Sequence, residues 1–203
     1  VVPAERTAVQ MPQGGSTPGA TLHSGYIYGV EMLPYFRTAL LGPILGAAQG
    51  AMNEYIDFTR DRVGQMSGES IAGLPHVQTR LAESAVEIHT AELLAQELID
   101  LLHRRGVAGS RLEGVERLTL LRNLSYLSRV ARQSVDRLAQ MMGANGQTGH
   151  NPVHRHLRDI SAMAAHGSLQ WEASLMPYGK WALGVNVGDA SADKTPRQPD
   201  QNF

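Results

Sequence analysis

The sequence contains no cysteine among its 203 residues. This excludes disulfide bonds, thiolate metal ligands and a cysteine nucleophile, and it is typical of a cytoplasmic protein, where we place this one. An excess of positive charge is also missing, because 18 Lys and Arg are balanced by 19 Asp and Glu. We therefore expect neither nucleic acid nor a membrane surface as a partner.

Long hydrophobic runs are lacking as well. The longest extends from Thr38 to Met52 and is too short to span a bilayer. It contains Pro43 and three glycines, Gly42, Gly46 and Gly50, at helical spacing. This pattern predicts a helix that packs on protein, with a stripe of small residues along which another backbone can approach closely.

Four long segments have helical periodicity. They cover residues 35–63, 74–105 and 112–142, followed by a helix that Asn151 caps and Pro152 begins. Pro43 is expected to kink the first segment or to mark its true start. The fourth helix is expected to end near Leu175, before Pro177. Segments of this length with short connections predict an all-α fold, an antiparallel four-helix bundle.

Both ends of the chain differ from the bundle. Val1, Val2 and Val9 predict a short strand that leaves a preceding portion, and a Gly- and Pro-rich loop follows it. The polar C-terminal segment predicts disorder. The expected organisation is a β/loop remnant at 1–33, the helical bundle at 34–184 and a disordered tail at 185–203.

Metal binding is not favoured by the histidine pattern. A carboxylate-bridged metal bundle needs two Glu-x-x-His motifs, and only Asp100 with His103 approximates one. His154 and His156 are two residues apart and point to different sides of a helix. We predict no metal site.

Two features suit a phosphate. The glycines Gly143, Gly146 and Gly149 lead into the helix capped by Asn151, and free N–H groups at a helix N-terminus attract anions. No strand precedes these glycines, so a dinucleotide-binding fingerprint is not indicated, and a helix stop followed by a turn is the alternative. Arg62 ends the first long segment, where it can interact with the helix dipole or with a phosphate.

The order of several motifs resembles a known family. The stretches "GPILGAAQGAMNEYIDFTRDR", "VQTRLAESAVEIHTAELL", "GANGQTGHNPVHRHLRDI" and "PYGKWALG" follow one another as in the C-terminal part of the acyl-CoA dehydrogenase superfamily. More narrowly, the chain resembles the two-component flavin-dependent monooxygenases that hydroxylate p-hydroxyphenylacetate and a phenolic steroid intermediate. The most specific match is the Asn-Pro-x-x-Arg-x-x-Arg-Asp-Ile run, followed by His166.

The resemblance implies a catalytic residue. In many of the dehydrogenases a Glu lies eight residues after the position of Asp159 and abstracts the substrate proton, whereas this chain has Gly167 there. The hydroxylases place a His near the flavin and the phenol at this point, which matches His166. An imidazole can hydrogen-bond or deprotonate a phenol near neutral pH.

The resemblance also implies the remaining components. They are reduced flavin (FMN or FAD) from a separate flavin reductase, O2, a small aromatic substrate and assembly as a homotetramer. Arg62 would reach the flavin phosphate of a neighbouring subunit. The loop formed by Met142, Gly143, Ala144, Asn145 and Gly146 would approach a flavin across the interface. Tyr26 and Tyr28 are candidates for lining the substrate pocket, with ordinary packing as the alternative.

Two other functions remain open at this stage. One is an acyl-CoA dehydrogenase-like oxidoreductase with bound FAD, against which the missing carboxylate at Gly167 counts. The other is a catalytically silent bundle that serves only oligomerisation.

Overall fold

Six α-helices follow one another in the part of the chain that the computed structural model describes, Pro3 and residues 22–185. They are α1 (Met32–Thr38), α2 (Leu41–Arg60), α3 (Pro75–Val107), α4 (Gly114–Met141), α5 (Pro152–Ala164) and α6 (Trp171–Ala182). Among the described helices, none combines the length and the apolar character needed to cross a membrane. The predicted strand at Val1, Val2 and Val9 and most of the predicted tail lie outside the described residues.

The long helices form the predicted antiparallel bundle, which confirms the all-α fold. Helix α4 lies at its centre and packs against α2, α3, α5 and α6. The largest fully buried side chains include Ile44, Tyr55, Ile88, Leu98, Leu124, Leu127, Leu138 and Ile160. Because α5 has 13 residues and α4 has 28, α5 covers only about half the length of α4. The remaining length of α4 is available for packing by α6.

The predicted end of the fourth helix is wrong. Helix α5 stops at Ala164, and His166 adopts an extended backbone (φ −61°, ψ 139°). A 3-10 turn follows, after which α6 begins and accommodates Pro177 in its interior. The apolar pattern continues across the break, whereas the tertiary contact that stabilises the turn leaves no local signal in the sequence.

The other helix boundaries agree more closely with the sequence. Pro43 lies in the first turn of α2, as expected if it marks the start of that helix. Asn151 caps α5 as predicted, since its Oδ1 accepts a hydrogen bond from Val153 N at 2.9 Å. Gly106 follows the predicted end of the second segment at residue 105 but does not end α3. It lies within α3, where an added Cβ would be 2.9 Å from Tyr26 Cδ2.

A cluster of charged and polar side chains joins α3 to α4. Arg137 donates two hydrogen bonds to Glu87, at 2.7 and 2.8 Å, and Ser134 Oγ donates a third at 2.6 Å. Arg137 also donates to the buried Ser84 Oγ at 3.1 Å. The hydrogen bonds from Arg137 are the main cause that lowers the pKa of the Glu87 carboxyl. The folded state therefore stabilises the ionised form of Glu87.

We expect Glu87→Gln to lower the free energy of unfolding by about 1–3 kcal/mol at neutral pH, because it removes the charge partner of Arg137. A carboxyl with a lowered pKa stabilises the fold above its unfolded-state pKa and loses that effect as the pH falls through the folded-state value. The deficit should therefore begin to shrink near pH 4.5, the ordinary value, and disappear as the pH falls further through the lowered pKa of the folded state.

Urea unfolding across a pH series measures this difference. Glu97→Gln is the matched control, since Glu97 is exposed on the same helix. Equal losses of unfolding free energy in the two variants at neutral pH would show that the cluster does not stabilise the bundle.

Candidate functional site

Two of the predicted flavin-binding regions meet at one end of the bundle. The half-buried Arg62, just after α2, donates from Nη1 to the carbonyl oxygen of Met142 at 3.3 Å. Its guanidinium also lies 5.0 Å from the centre of the Phe58 ring. A guanidinium has five N–H donors, and the bond to Met142 uses one of them. The arrangement therefore fixes a cation beside the 142–146 loop while leaving it able to bind an anion.

The 142–146 loop is shaped by its glycines. Gly143 has a φ of +66°, which favours glycine, and a 3-10 turn from Gly143 to Gln147 follows. An added Cβ at Gly146 would overlap the carbonyl oxygen of Ala139 and lie 2.8 Å from Met142 Cβ. Met142 is buried, whereas Gly143 and Ala144 are exposed, so a ligand can reach the loop at these two residues. The side chain of Asn145 lies outside what the structure describes.

The start of α5 has fewer free donors than its sequence suggests. Pro152 has no N–H, the Val153 N–H is bonded to Asn151 Oδ1, and the Arg155 N–H is bonded to the Asn151 carbonyl at 3.1 Å. The phosphate hypothesis therefore depends on Arg62 and the loop more than on the helix N-terminus.

His166 lies in the turn between α5 and α6, and its side chain is exposed. Its Nδ1 accepts a hydrogen bond from the backbone N–H of Ser168 at 3.2 Å. In the neutral ring the proton is therefore on Nε2, which is then a hydrogen-bond donor. The turn is attached to α4, because Ser125 Oγ donates to the carbonyl oxygen of Leu169 at 2.9 Å.

In one continuous helix, spacings of seven, eight and eleven residues would place His166 on the same face as Asp159, Arg158 and Arg155, but His166 does not share that face. That interpretation required one continuous helix, and α5 ends two residues before His166. The side chains of Arg155, Arg158 and Asp159 are exposed.

His154 and His156 are packed against the rest of the bundle. An added Cβ at Gly50 would lie 2.6 Å from His156 Cε1, so the absence of a side chain there lets α5 pack on α2. His154 has a buried Nδ1 without a hydrogen-bond partner in the described part of the chain. Within residues 22–185, no three His, Asp or Glu side chains are grouped as a metal ion would require.

Tyr26 and Tyr28 each contact a histidine other than His166. Tyr26 Oη lies 3.1 Å from His103 Nδ1, and the two rings meet edge to face near the end of α3. Tyr28 stacks on His23 with ring centres 4.5 Å apart. Both tyrosines are close to half exposed. Their assignment to the substrate pocket stays a prediction.

The His166 turn and the Arg62 end of the bundle are far apart. Ser125, to which the turn is attached, lies 16 residues before Met141, the last residue of α4. At 1.5 Å per residue this corresponds to about 24 Å along the helix axis. The predicted catalytic and phosphate-binding residues of one chain therefore form two separate sites.

Sequence reasoning missed a groove of about 410 Å³ between α3, α4 and the start of α6. Arg129 lies 4.2 Å from the centre of the Trp171 ring, and Tyr126 is beside it. None of the sequence-predicted site residues lines this groove. It depends on the break before α6, which the sequence pattern did not indicate.

Comparison with known proteins identifies the family. Residues 39–171 match the family described as acyl-CoA dehydrogenase, C-terminal domain. The chain belongs to this family, and its fold agrees with the resemblance found in the motifs.

Its relatives include flavin-dependent hydroxylases. The pigment production hydroxylase of a Rhodococcus species is 25% identical over 93% of this chain and 48% of its own length. The oxygenase component of FADH(2)-dependent resorcinol hydroxylase from a Rhizobium species is 30% identical over 84% of this chain and 44% of its own length. The chain thus spans about half the length of the relatives it matches.

A similar solved structure is also that of a hydroxylase. The crystal structure of 3-HSA hydroxylase from Rhodococcus sp. RHA1 has a TM-score of 0.76 and 25% identity, covering 86% of this chain and 45% of that one.

Gly146→Ala tests the packing of the loop. We expect it to lower the free energy of unfolding by about 1–3 kcal/mol, because the new Cβ would overlap backbone atoms at the end of α4. Gly149→Ala is the control, since an added Cβ there meets nothing within 4 Å. Chemical denaturation measures both, and an equal effect of the two changes would contradict the close packing at Gly146.

Proposed function

We propose that this chain is the helical domain of a flavin-dependent monooxygenase that oxygenates an aromatic, phenolic substrate. The reduced flavin would come from a separate flavin reductase. The observation that carries the proposal is His166, which directly precedes Gly167, the position that the resemblance assigns to the carboxylate base of many dehydrogenases, and whose Nδ1 accepts a hydrogen bond from the Ser168 N–H. The hydroxylase names of the relatives support the same reaction class.

The residues at the Arg62 end fit a flavin phosphate. Arg62 supplies a fixed positive charge with further N–H donors, and the exposed backbone of Gly143 and Ala144 lies on the same loop. A bound reduced flavin would supply the electrons and the reaction with O2. The chain's own task is then to hold the phosphate and to place His166 at the substrate.

The chemistry expected of His166 follows from its tautomer. With Nδ1 occupied by a backbone N–H, Nε2–H can donate to the oxygen of a bound phenol. This bond stabilises negative charge on that oxygen, which makes the aromatic ring more electron-rich and therefore easier to oxygenate.

The distance between the two sites supports binding of flavin between subunits. About 24 Å along α4 separates the His166 turn from the loop. The ribityl arm that joins ring and phosphate in FMN and FAD is much shorter. We infer that Arg62 and His166 of one chain serve two different flavins in a homotetramer, and the open faces of Gly42 and Gly46 on α2 suit close contact with another helix.

The finer assignments belong to the same proposal. We place Asn145 and Gly146 with Arg62 at the flavin, Tyr26 and Tyr28 at the edge of the substrate pocket, and the protein in the cytoplasm. The relatives include an enzyme named for FADH2. FMN and FAD are therefore compared directly in the experiment below.

The proposed reaction is tested on the full-length protein. Reduced FMN or FAD is titrated anaerobically, and the complex is mixed with 18O-labelled O2 and a panel of phenols that includes resorcinol and p-hydroxyphenylacetate. Transfer of one 18O atom into a phenol is the expected result. Tight binding of oxidised FAD, with bleaching of its absorbance by acyl-CoA, would instead indicate a dehydrogenase. Absence of flavin binding would favour the catalytically silent bundle.

Arg62→Ala is expected to weaken binding of reduced flavin by about ten- to hundredfold, because it removes a charge-assisted bond to phosphate. Arg60→Ala is the matched control, since Arg60 lies at the same helix end but is exposed and 3.6 Å from Asp57. Fluorescence or absorbance titration gives both dissociation constants. Equal constants for the two variants would remove Arg62 from the site.

His166→Ala is expected to lower kcat for oxygenation by about a hundredfold or more, the usual contribution of a positioned imidazole. Flavin affinity should change much less, because the phosphate is held elsewhere. His89→Ala, an exposed histidine on α3, serves as control. A wild-type kcat in His166→Ala would exclude the catalytic role.

A further inference from the structure

We propose that Ser125 is a positioning residue that sets the hydrogen-bonding role of His166. Its effect on catalysis rests on the function proposed above, whereas its effect on the imidazole does not. Ser125 lies on α4, 41 positions before His166 in the sequence, and no motif links the two.

The turn that contains His166 is attached to α4 at two points. Ser125 is 2% exposed and donates from Oγ to the Leu169 carbonyl oxygen at 2.9 Å. The side chain of Leu169 is 4% exposed and belongs to the hydrophobic core. The polar contact has a direction and the apolar contact does not, so the serine determines how the turn is oriented on the helix.

Two short hydrogen bonds then transmit that orientation to His166. The Leu169 N–H donates to the His166 carbonyl oxygen at 2.9 Å, and the Ser168 N–H donates to His166 Nδ1 at 3.2 Å. The His166 N–H also donates to the Met163 carbonyl oxygen at 3.1 Å, which holds its backbone at the end of α5, so the bond from the Ser168 N–H is the one that orients the exposed ring. Loss of the Ser125 bond should therefore loosen the contact at Nδ1.

The consequence is chemical as well as geometric. A backbone N–H at Nδ1 keeps the proton of the neutral ring on Nε2. His166 then meets the phenol as a hydrogen-bond donor from Nε2. If the turn is loosened, both tautomers become available, and a fraction of the protein presents an acceptor at Nε2 instead.

Ser128 provides a matched comparison on the same helix. It is also 2% exposed, but its Oγ has no hydrogen-bond partner within the described residues. Ser125→Ala and Ser128→Ala thus remove the same atom from equally buried positions of α4. Only the first change removes the bond to the His166 turn.

The structural test uses 15N-labelled histidine in the full-length protein, together with amide hydrogen exchange. Wild type and Ser128→Ala are expected to show the Nε2–H tautomer for His166, assigned by its loss in His166→Ala. Ser125→Ala should show a mixture of tautomers and faster exchange at Ser168 and Leu169. An unchanged tautomer and unchanged exchange in Ser125→Ala would overturn the proposal. Ser125→Cys, which keeps the size but donates weakly, replaces the alanine variant if that one does not fold.

A double-mutant cycle tests the link to catalysis. Ser125→Ala should lower kcat for oxygenation by about three- to tenfold when His166 is present, the effect expected for one buried hydrogen bond. In the His166→Ala background it should have almost no further effect. Equal losses in both backgrounds would show that Ser125 does not act through His166. If the protein oxygenates no phenol, the proposed function fails, while the tautomer and exchange measurements still decide the role of Ser125.

Discussion

The burial of α4 along its length is the constraint on which the rest of the structure depends. Side chains that recur at helical spacing, such as Leu120, Leu124, Leu127 and Leu138, are all but inaccessible to solvent. Each contributes about 1.5–3 kcal/mol by leaving water. Because α2, α3, α5 and α6 all pack on this helix, its position fixes theirs.

The two candidate sites take their positions from different parts of α4. Its C-terminal end leads into the 142–146 loop, where Met142 accepts a hydrogen bond from Arg62. Its middle carries Ser125, which holds the turn of His166. A helix is a rigid spacer, so the distance between cation and imidazole is set by the number of residues between these points. The separation of the two sites follows from the length of α5, which ends about halfway along α4.

Periodicity and capping signals were enough to predict the main helices. Steps of three and four among apolar residues located α3 and α4 closely, and Asn151 with Pro152 located the start of α5. These signals act between near neighbours in the chain. They can therefore be recognised in the sequence without knowledge of the tertiary structure.

The contacts that build the sites could not be predicted in this way. Arg62 and Met142 are 80 residues apart, and Ser125 and Leu169 are 44 apart. The break after Ala164 was missed because the bond that holds the turn on α4 comes from Ser125, which is distant in the sequence. His166 was chosen from the family resemblance, because helical spacing alone did not assign it a role.

We propose that one chain contributes to two flavin sites, with Arg62 at a phosphate and His166 at a substrate. An anaerobic crystal structure of the full-length protein with reduced flavin and a phenol tests it most directly. We expect Arg62 to bind the phosphate of one flavin, while His166 Nε2 lies within hydrogen-bond distance of the phenol beside another. A flavin phosphate bound away from Arg62, with His166 facing solvent, would contradict it.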